Sequence, residues 1–198
     1  RLVVRRNETN RGLTANLADG VTRARGAYVA RMDADDIALP ERLAKQVAWM
    51  DAHPDVSILG APVIYFNEKG ERGVADQPMV DAEIKARLFI NFTLMHPTIL
   101  IRRADLEVHG LNYNPAYRCS QDHALYFDCI LKGLKFANYP EPLLRMRAHA
   151  ASISRAQNGN QCECSARARV SFLTRLGLID RYPSEAIEAW HDITRGEL

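Results

Sequence analysis

The chain has 198 residues, with 26 basic and 24 acidic side chains and a formal charge of +2. At 47% hydrophobic and 25% charged, it is long and apolar enough for one domain with a sizeable core, and its balance asks for neither nucleic acid nor disorder. No run approaches the roughly 18 apolar residues of a membrane span, and no stretch reads as a signal peptide.

In chain order, Leu2-Val3-Val4 is a β-branched run and reads as a strand. The chain opens on Arg1 rather than Met, directly into that run, so an upstream segment is expected. Leu13, Leu17, Gly20, Val21 and Ala24 recur at helical spacing and predict a helix over 14–25, stopped by Gly26. A strand follows over 27–32, and this helix-then-strand order marks an α/β layer structure. Pro40 suits the first position of the next helix, whose Leu43, Val47 and Met50 fall on one face. Residues 56–66 read as one strand, with Asn67-Glu68-Lys69-Gly70 as its turn. A helix is predicted over 81–89. Residues 96–101 read as an edge strand, because Pro97 lies near its start. Further on come a helix over 121–131 closed by Gly133, a strand over 143–146, and a helix over 161–176. A last helix is capped by Ser184 and ends near Thr194. The Arg-rich stretch 167–175 reads as a solvated helix face.

Of the cysteines Cys119, Cys129, Cys162 and Cys164, no two form a Cys-x-x-Cys pair, so a structural zinc site is not expected. The reading is reduced thiols in a cytosolic protein.

Asp33, Asp35 and Asp36 stand at the end of the strand predicted over 27–32. Crowded carboxylates raise one another's pKa unless a partner offsets the charge, and strand ends in α/β sheets are where such folds bind ligands. Alternation places Asp33 and Asp35 on one side, where two hard oxygen donors suit Mg²⁺ or Mn²⁺ bridging a diphosphate. The same residues also read as a solvated acidic turn.

Asp122 opens an apolar helix. It reads either as a carboxylate favoured by the helix dipole or as a general base removing a proton from a sugar hydroxyl. A single base opposite the leaving group would invert the anomeric carbon. Arg145, Arg147 and His149 alternate onto one face of the late strand, a pattern suited to a diphosphate or to solvent. His149 is a candidate metal ligand, and His96 a candidate for shaping the acceptor pocket.

These motifs together resemble the family 2 glycosyltransferases of the GT-A fold, in the branch that builds bacterial exopolysaccharide and O-chains. The likeness runs through Asn10-x-Gly12-Leu13, Gly26 to Asp36, and Leu39-Pro40-Glu41-Arg42-Leu43. It continues through His96-Pro97-Thr98, Gln121-Asp122 and Arg147-x-His149-x-x-Ser152-x-Ser154, covering roughly residues 1 to 155. The resemblance implies a three-layer α/β/α domain over 1–155 and a helical extension over 156–198. It implies a nucleoside-diphospho-sugar donor, with a UDP- or dTDP-sugar expected, and a saccharide or lipid-linked acceptor in surface polysaccharide biosynthesis. Asp33, Asp35, Asp36 and Arg147 would hold the donor, Asp35 and His149 the Mg²⁺ or Mn²⁺, and Asp122 would be the catalytic base. The location implied is cytoplasmic, with peripheral contact to the inner membrane face and a homodimer as open options.

This sequence departs from the family pattern at Gln121, where a Glu is usual, and at Ala18, where many relatives have Asn. It also lacks the two leading strand motifs that clasp base and ribose, so the 198-residue polypeptide alone is expected to be inactive and to bind donor poorly. Two other readings stay open: a haloacid-dehalogenase-like phosphatase using the first Asp of Asp-x-Asp, and a non-catalytic interaction module of the same ancestry.

Overall fold

The computed structural model describes residues 3–90, 93–148 and 158–179, the side chains of 158–163 excepted. The predicted helix over 184–194, with Ser184, lies outside these residues, as do His149, Ser152 and Ser154. In chain order the described elements are α1 (Leu13–Arg23), β1 (Tyr28–Ala30), β2 (Ile37–Ala38), α2 (Arg42–Ala52), β3 (Val56–Gly60), β4 (Val63–Asn67), β5 (Gly70–Val74) and α3 (Asp81–Leu88). A 3-10 turn (His96–Thr98) leads into β6 (Leu100–Arg102), followed by α4 (Arg103–His109), α5 (Gln121–Leu131), β7 (Lys135–Asn138), β8 (Leu144–Arg147) and α6 (Asn158–Arg175).

The main sheet has the order β1-β6-β3-β7. Strand β6 runs antiparallel to both β1 and β3, and β3 runs parallel to β7, so β1, β3 and β7 share one direction. Alternating side chains serve two layers. Ile58, Ile99, Ile101 and Phe136 pack with Ile84 and Leu88 of α3, Leu125 and Phe127 of α5, and Phe172 of α6. Leu59, Leu100 and Ala137 face the other way, onto Met50 and Val47 of α2. The result is the expected three-layer α/β/α arrangement. A smaller sheet of order β2-β8-β4-β5 stands at the side, around Val63 and Leu144.

Several sequence expectations are corrected. Val3 and Val4 are exposed coil, 71% and 80% accessible, and no described strand pairs with them. The run 56–66 is two strands, one in each sheet, because Ala61-Pro62 breaks the ladder where proline has no N–H to donate. Strand β6 is central rather than an edge, since Pro97 is accommodated in the 3-10 turn before the strand begins. Helix α2 buries Arg42, Gln46 and Met50 and leaves Leu43 exposed. Cys119 and Cys164, taken as reduced thiols, are joined by a disulfide, with Cα atoms 5.8 Å apart; Cys129 is free and buried, which pushes its thiol up to about 12. Within 167–175, Arg169 is buried at 4% exposure, so that face is not all solvated. No described helix is long and apolar enough to cross a membrane.

Candidate active site

The site forms at the ends of β1 and β6. The register pairs Ala30 with Leu100, and Arg31 N–H donates to the Ile99 carbonyl at 3.1 Å. Chain direction then carries Arg31, Met32 and Asp33 out beside Thr98, Pro97 and His96. Arg31 is nine-tenths buried and forks the Asp33 carboxylate with both terminal nitrogens, one at 2.7 Å. A planar guanidinium meeting a carboxylate two-pronged is the strongest ordinary ion-pair geometry.

Two buried polar side chains of α2 hold this corner. Arg42 donates to the Arg31 carbonyl at 2.6 Å and to Gln46 Oε1 at 3.1 Å, and Gln46 donates to the Thr98 carbonyl at 2.8 Å. Burial lowers the Arg42 pKa but cannot discharge a guanidinium at neutral pH. Helix α2 thus ties the ends of two strands with a charge rather than a hydrocarbon, which is why an apolar-face reading missed it.

The rest of the acidic turn is fixed from the second sheet. Arg147 N–H donates to Asp36 Oδ1 at 2.9 Å, and its Nε donates to the Asp35 carbonyl at 3.0 Å. Its guanidinium also lies over the Phe66 ring at 4.6 Å, with Arg145 over the same ring at 5.2 Å, so both arginines share the face that alternation predicts. Asp36 is buried with Oδ2 unpartnered, and burial first, then the Asp33 and Asp35 charges, raise its pKa. Asp35 is exposed at the tip of the turn, while Asp33 is half-buried.

Asp122 lies at the start of α5, 8% exposed. Its Oδ1 accepts the His123 N–H at 3.0 Å. Burial works to raise its pKa, but His96, His123 and two backbone N–H groups outweigh that and hold it below the ordinary carboxylate value. Burial itself lowers His96 to about 3 and His123 to about 4, so both imidazoles are neutral at neutral pH. The backbone donors at the helix start are then what favour the carboxylate there.

His96 connects the two acidic regions. Its Nε2 shares a 2.8 Å hydrogen bond with the Tyr113 hydroxyl, and both groups are buried. Burial raises the Tyr113 pKa; Arg31 opposes that rise, while Asp122 and Asp33 add to it. Asp33 and Asp122 thus both act on the Tyr113 phenol. The buried Tyr126 hydroxyl, one turn beyond Asp122, lies in the field of Asp122, Tyr113 and Arg31. Sequence reading passed over Arg31, Tyr113 and Arg42; the i, i+2 spacing of Arg31 and Asp33 was a signal for the first.

No three described His, Cys, Asp or Glu side chains converge on a metal cage. A nucleotide-bridging Mg²⁺ needs only one or two carboxylates, the remaining positions being filled by phosphate and water. Of the three acids of the turn, Asp35 is exposed, Asp33 is half-buried and paired with Arg31, and Asp36 is buried.

A mixed sheet flanked by helices, with an acidic turn fixed at a strand end, defines an α/β protein with a candidate ligand site there. The model of the family described as Glycosyl transferase family 2 matches residues 1–110, and the chain belongs to that family. It is 31% identical over 159 residues to the amylovoran biosynthesis glycosyltransferase AmsE of Erwinia amylovora, covering 80% of this chain and 59% of that protein. It is 34% identical over 149 residues to an uncharacterized glycosyltransferase of Methanocaldococcus jannaschii, covering 74% of this chain and 51% of that one. The chain thus spans between half and three-fifths of the length of these relatives. In fold it resembles the crystal structure of S. aureus TarS 1-349 in complex with UDP-GlcNAc, with a TM-score of 0.64, 18% identity, and 84% and 49% of the two chains covered. This likeness establishes the GT-A fold. Neither the family nor these neighbours supports the phosphatase reading.

Proposed function

We propose that this chain carries the transfer site of an inverting glycosyltransferase, moving a sugar from a nucleoside-diphospho-sugar to a saccharide or lipid-linked acceptor in surface polysaccharide biosynthesis. The observation that carries this reading is the acidic turn fixed after β1 by Arg31 and Arg147, together with the buried carboxylate of Asp122 at the start of α5. The family, the AmsE relative and the fold shared with a UDP-GlcNAc complex support it.

In this reading the acidic turn, with Asp33, Asp35 and Asp36, holds the donor's ribose and diphosphate side, and Arg147 lies within reach of the same charge. Asp35 would hold Mg²⁺ or Mn²⁺, with His149, which lies outside the described residues, as its second ligand. The metal, when bound, supplies positive charge to the departing diphosphate. Asp122 accepts the proton of the acceptor hydroxyl as the new C–O bond forms. Asp122 is buried at the start of α5, where backbone N–H groups favour its charged form. One base with no partnering nucleophilic carboxylate gives inversion.

The test is transfer by the intact enzyme from a panel of UDP-, dTDP- and GDP-sugars to a lipid-linked saccharide. Asp122→Asn should lower kcat by about 10²–10⁴ and leave calorimetric UDP binding unchanged within about twofold. Turnover by Asp122→Asn at the wild-type rate removes Asp122 from the chemistry and the reading with it.

A further inference from the structure

Helix α6 is bonded to the loop and helix start that carry Asp122, both beyond the residues 1–110 matched by the family. Three contacts make the link. Cys119, three residues before Asp122, is disulfide-bonded to Cys164 of α6. The Ser165 hydroxyl donates to Ser120 Oγ at 2.9 Å, and His123 Nδ1 lies 3.0 Å from Ser165 Oγ. The ring nitrogen and the two hydroxyls thus form one hydrogen-bonded string, His123–Ser165–Ser120. His123 N–H in turn donates to Asp122 Oδ1. His123 therefore meets α6 with its ring and Asp122 with its backbone N–H.

Two further features show that the link is built. Ser120 has φ 51°, the only positive φ among the described non-glycine residues, so its backbone is held where serine rarely sits. Arg169 of α6 is 4% exposed and acts on His123, adding to the lowering of its pKa. Ala168 and Phe172 of the same helix pack into the main core alongside Phe127, with the Phe127 and Phe172 ring centroids 4.8 Å apart. A surface helix needs only the apolar contacts; the polar ones end on Ser120, two residues before the base, and on His123, the residue after it.

We infer that α6 is a positioning brace for the base, with Ser165 and the Cys119–Cys164 bond setting the angle at which Asp122 enters the site. This rests on the sugar-transfer reading. Ser165 touches no reacting atom and acts through His123.

The test uses Ser165→Ala, Ser165→Thr and Cys164→Ser in the intact enzyme. Ser165→Ala should lower kcat on the order of tenfold, since small misplacements of a reacting group are costly, with KM for donor and the affinity for UDP unchanged. Ser165→Thr, which keeps the hydroxyl, should recover most of the loss. Amide exchange should quicken in the first turn of α5 in both Ser165→Ala and Cys164→Ser. Unchanged kcat and unchanged exchange overturn the brace, as does a parallel loss of kcat, UDP binding and thermal stability that threonine does not rescue. If the wild-type enzyme transfers no sugar from any donor tried, the sugar-transfer reading fails separately. Exchange at the α5 start then decides the brace: faster exchange confined to that turn supports it, and none overturns it.

Discussion

Replacing Gly60 with alanine tests how tightly the strand ends are built. A Cβ there would lie 2.3 Å from Asn138 Oδ1 and 2.9 Å from Leu94 Cδ2. Leucine can move its far end, but Asn138 cannot retreat without loss. It is 3% exposed, and its amide donates to the Pro78 carbonyl at 2.7 Å and the Thr93 carbonyl at 2.8 Å. Flipping the amide would set its oxygen against those two carbonyls. Two hydrogen bonds contribute about 1 kcal/mol each, and overpacking a buried site adds about 1–3. We expect Gly60→Ala to cost roughly 3–5 kcal/mol, read as a lower urea midpoint at unchanged slope. The same change made on an Asn138→Ala background should cost less than about 1 kcal/mol, because the blocking oxygen is gone. Equal losses on both backgrounds would refute the argument by assigning the strain elsewhere.

Two further predictions follow from buried groups. His96 and His123 titrate near 6.5 when unfolded but are lowered to about 3 and about 4 by burial. The unfolded chain therefore binds more protons between those values, so stability is complete above about pH 6.5 and is lost as pH falls, by up to about 1.4 kcal/mol per pH unit for each ring. The raised Asp36 works in the opposite sense, gaining stability as pH falls. Urea midpoints taken down the pH scale should drop through this window, and a flat profile would contradict the neutral buried histidines. The Cys119–Cys164 bond spans 45 residues, so Cys119→Ser should cost roughly 4 kcal/mol on the chain-entropy account. Reduction of the wild-type protein should expose two additional thiols; an unchanged thiol count would refute the bond.

Much of the fold was legible because local signals agreed with it. Helix α5 has the predicted bounds, from its polar start to the stop at Gly133, and the Asn67–Gly70 turn joins β4 to β5 with Lys69 N–H donating to Asn67 Oδ1 at 2.9 Å. The misreadings share a cause: the deciding partner is distant in sequence. Pro97 does not make β6 an edge, because both its neighbours, β1 and β3, are fixed by long-range pairing. Pro62, by contrast, was a local signal for the break between β3 and β4 that could have been used. Burial of Arg42 and Gln46 in place of Leu43 depends on carbonyls at Arg31 and Thr98, which no helical periodicity contains. At the candidate site, the placement of Asp33, Asp35 and Asp36 just after β1 and of Asp122 at the start of α5 was legible from the sequence. Arg31, Tyr113 and the link from α6 were not, since each gains its meaning from the packing of separate segments.

The central claim is that the acidic turn and Asp122 face one ligand. The most direct measurement is a crystal structure of the intact enzyme with Mn²⁺ and a non-transferable nucleoside-diphospho-sugar. The account predicts the diphosphate and metal at Asp35, with the sugar's reacting carbon open to an acceptor beside Asp122. A nucleotide bound away from the turn at 33–36, or a sugar directed away from Asp122, would contradict it.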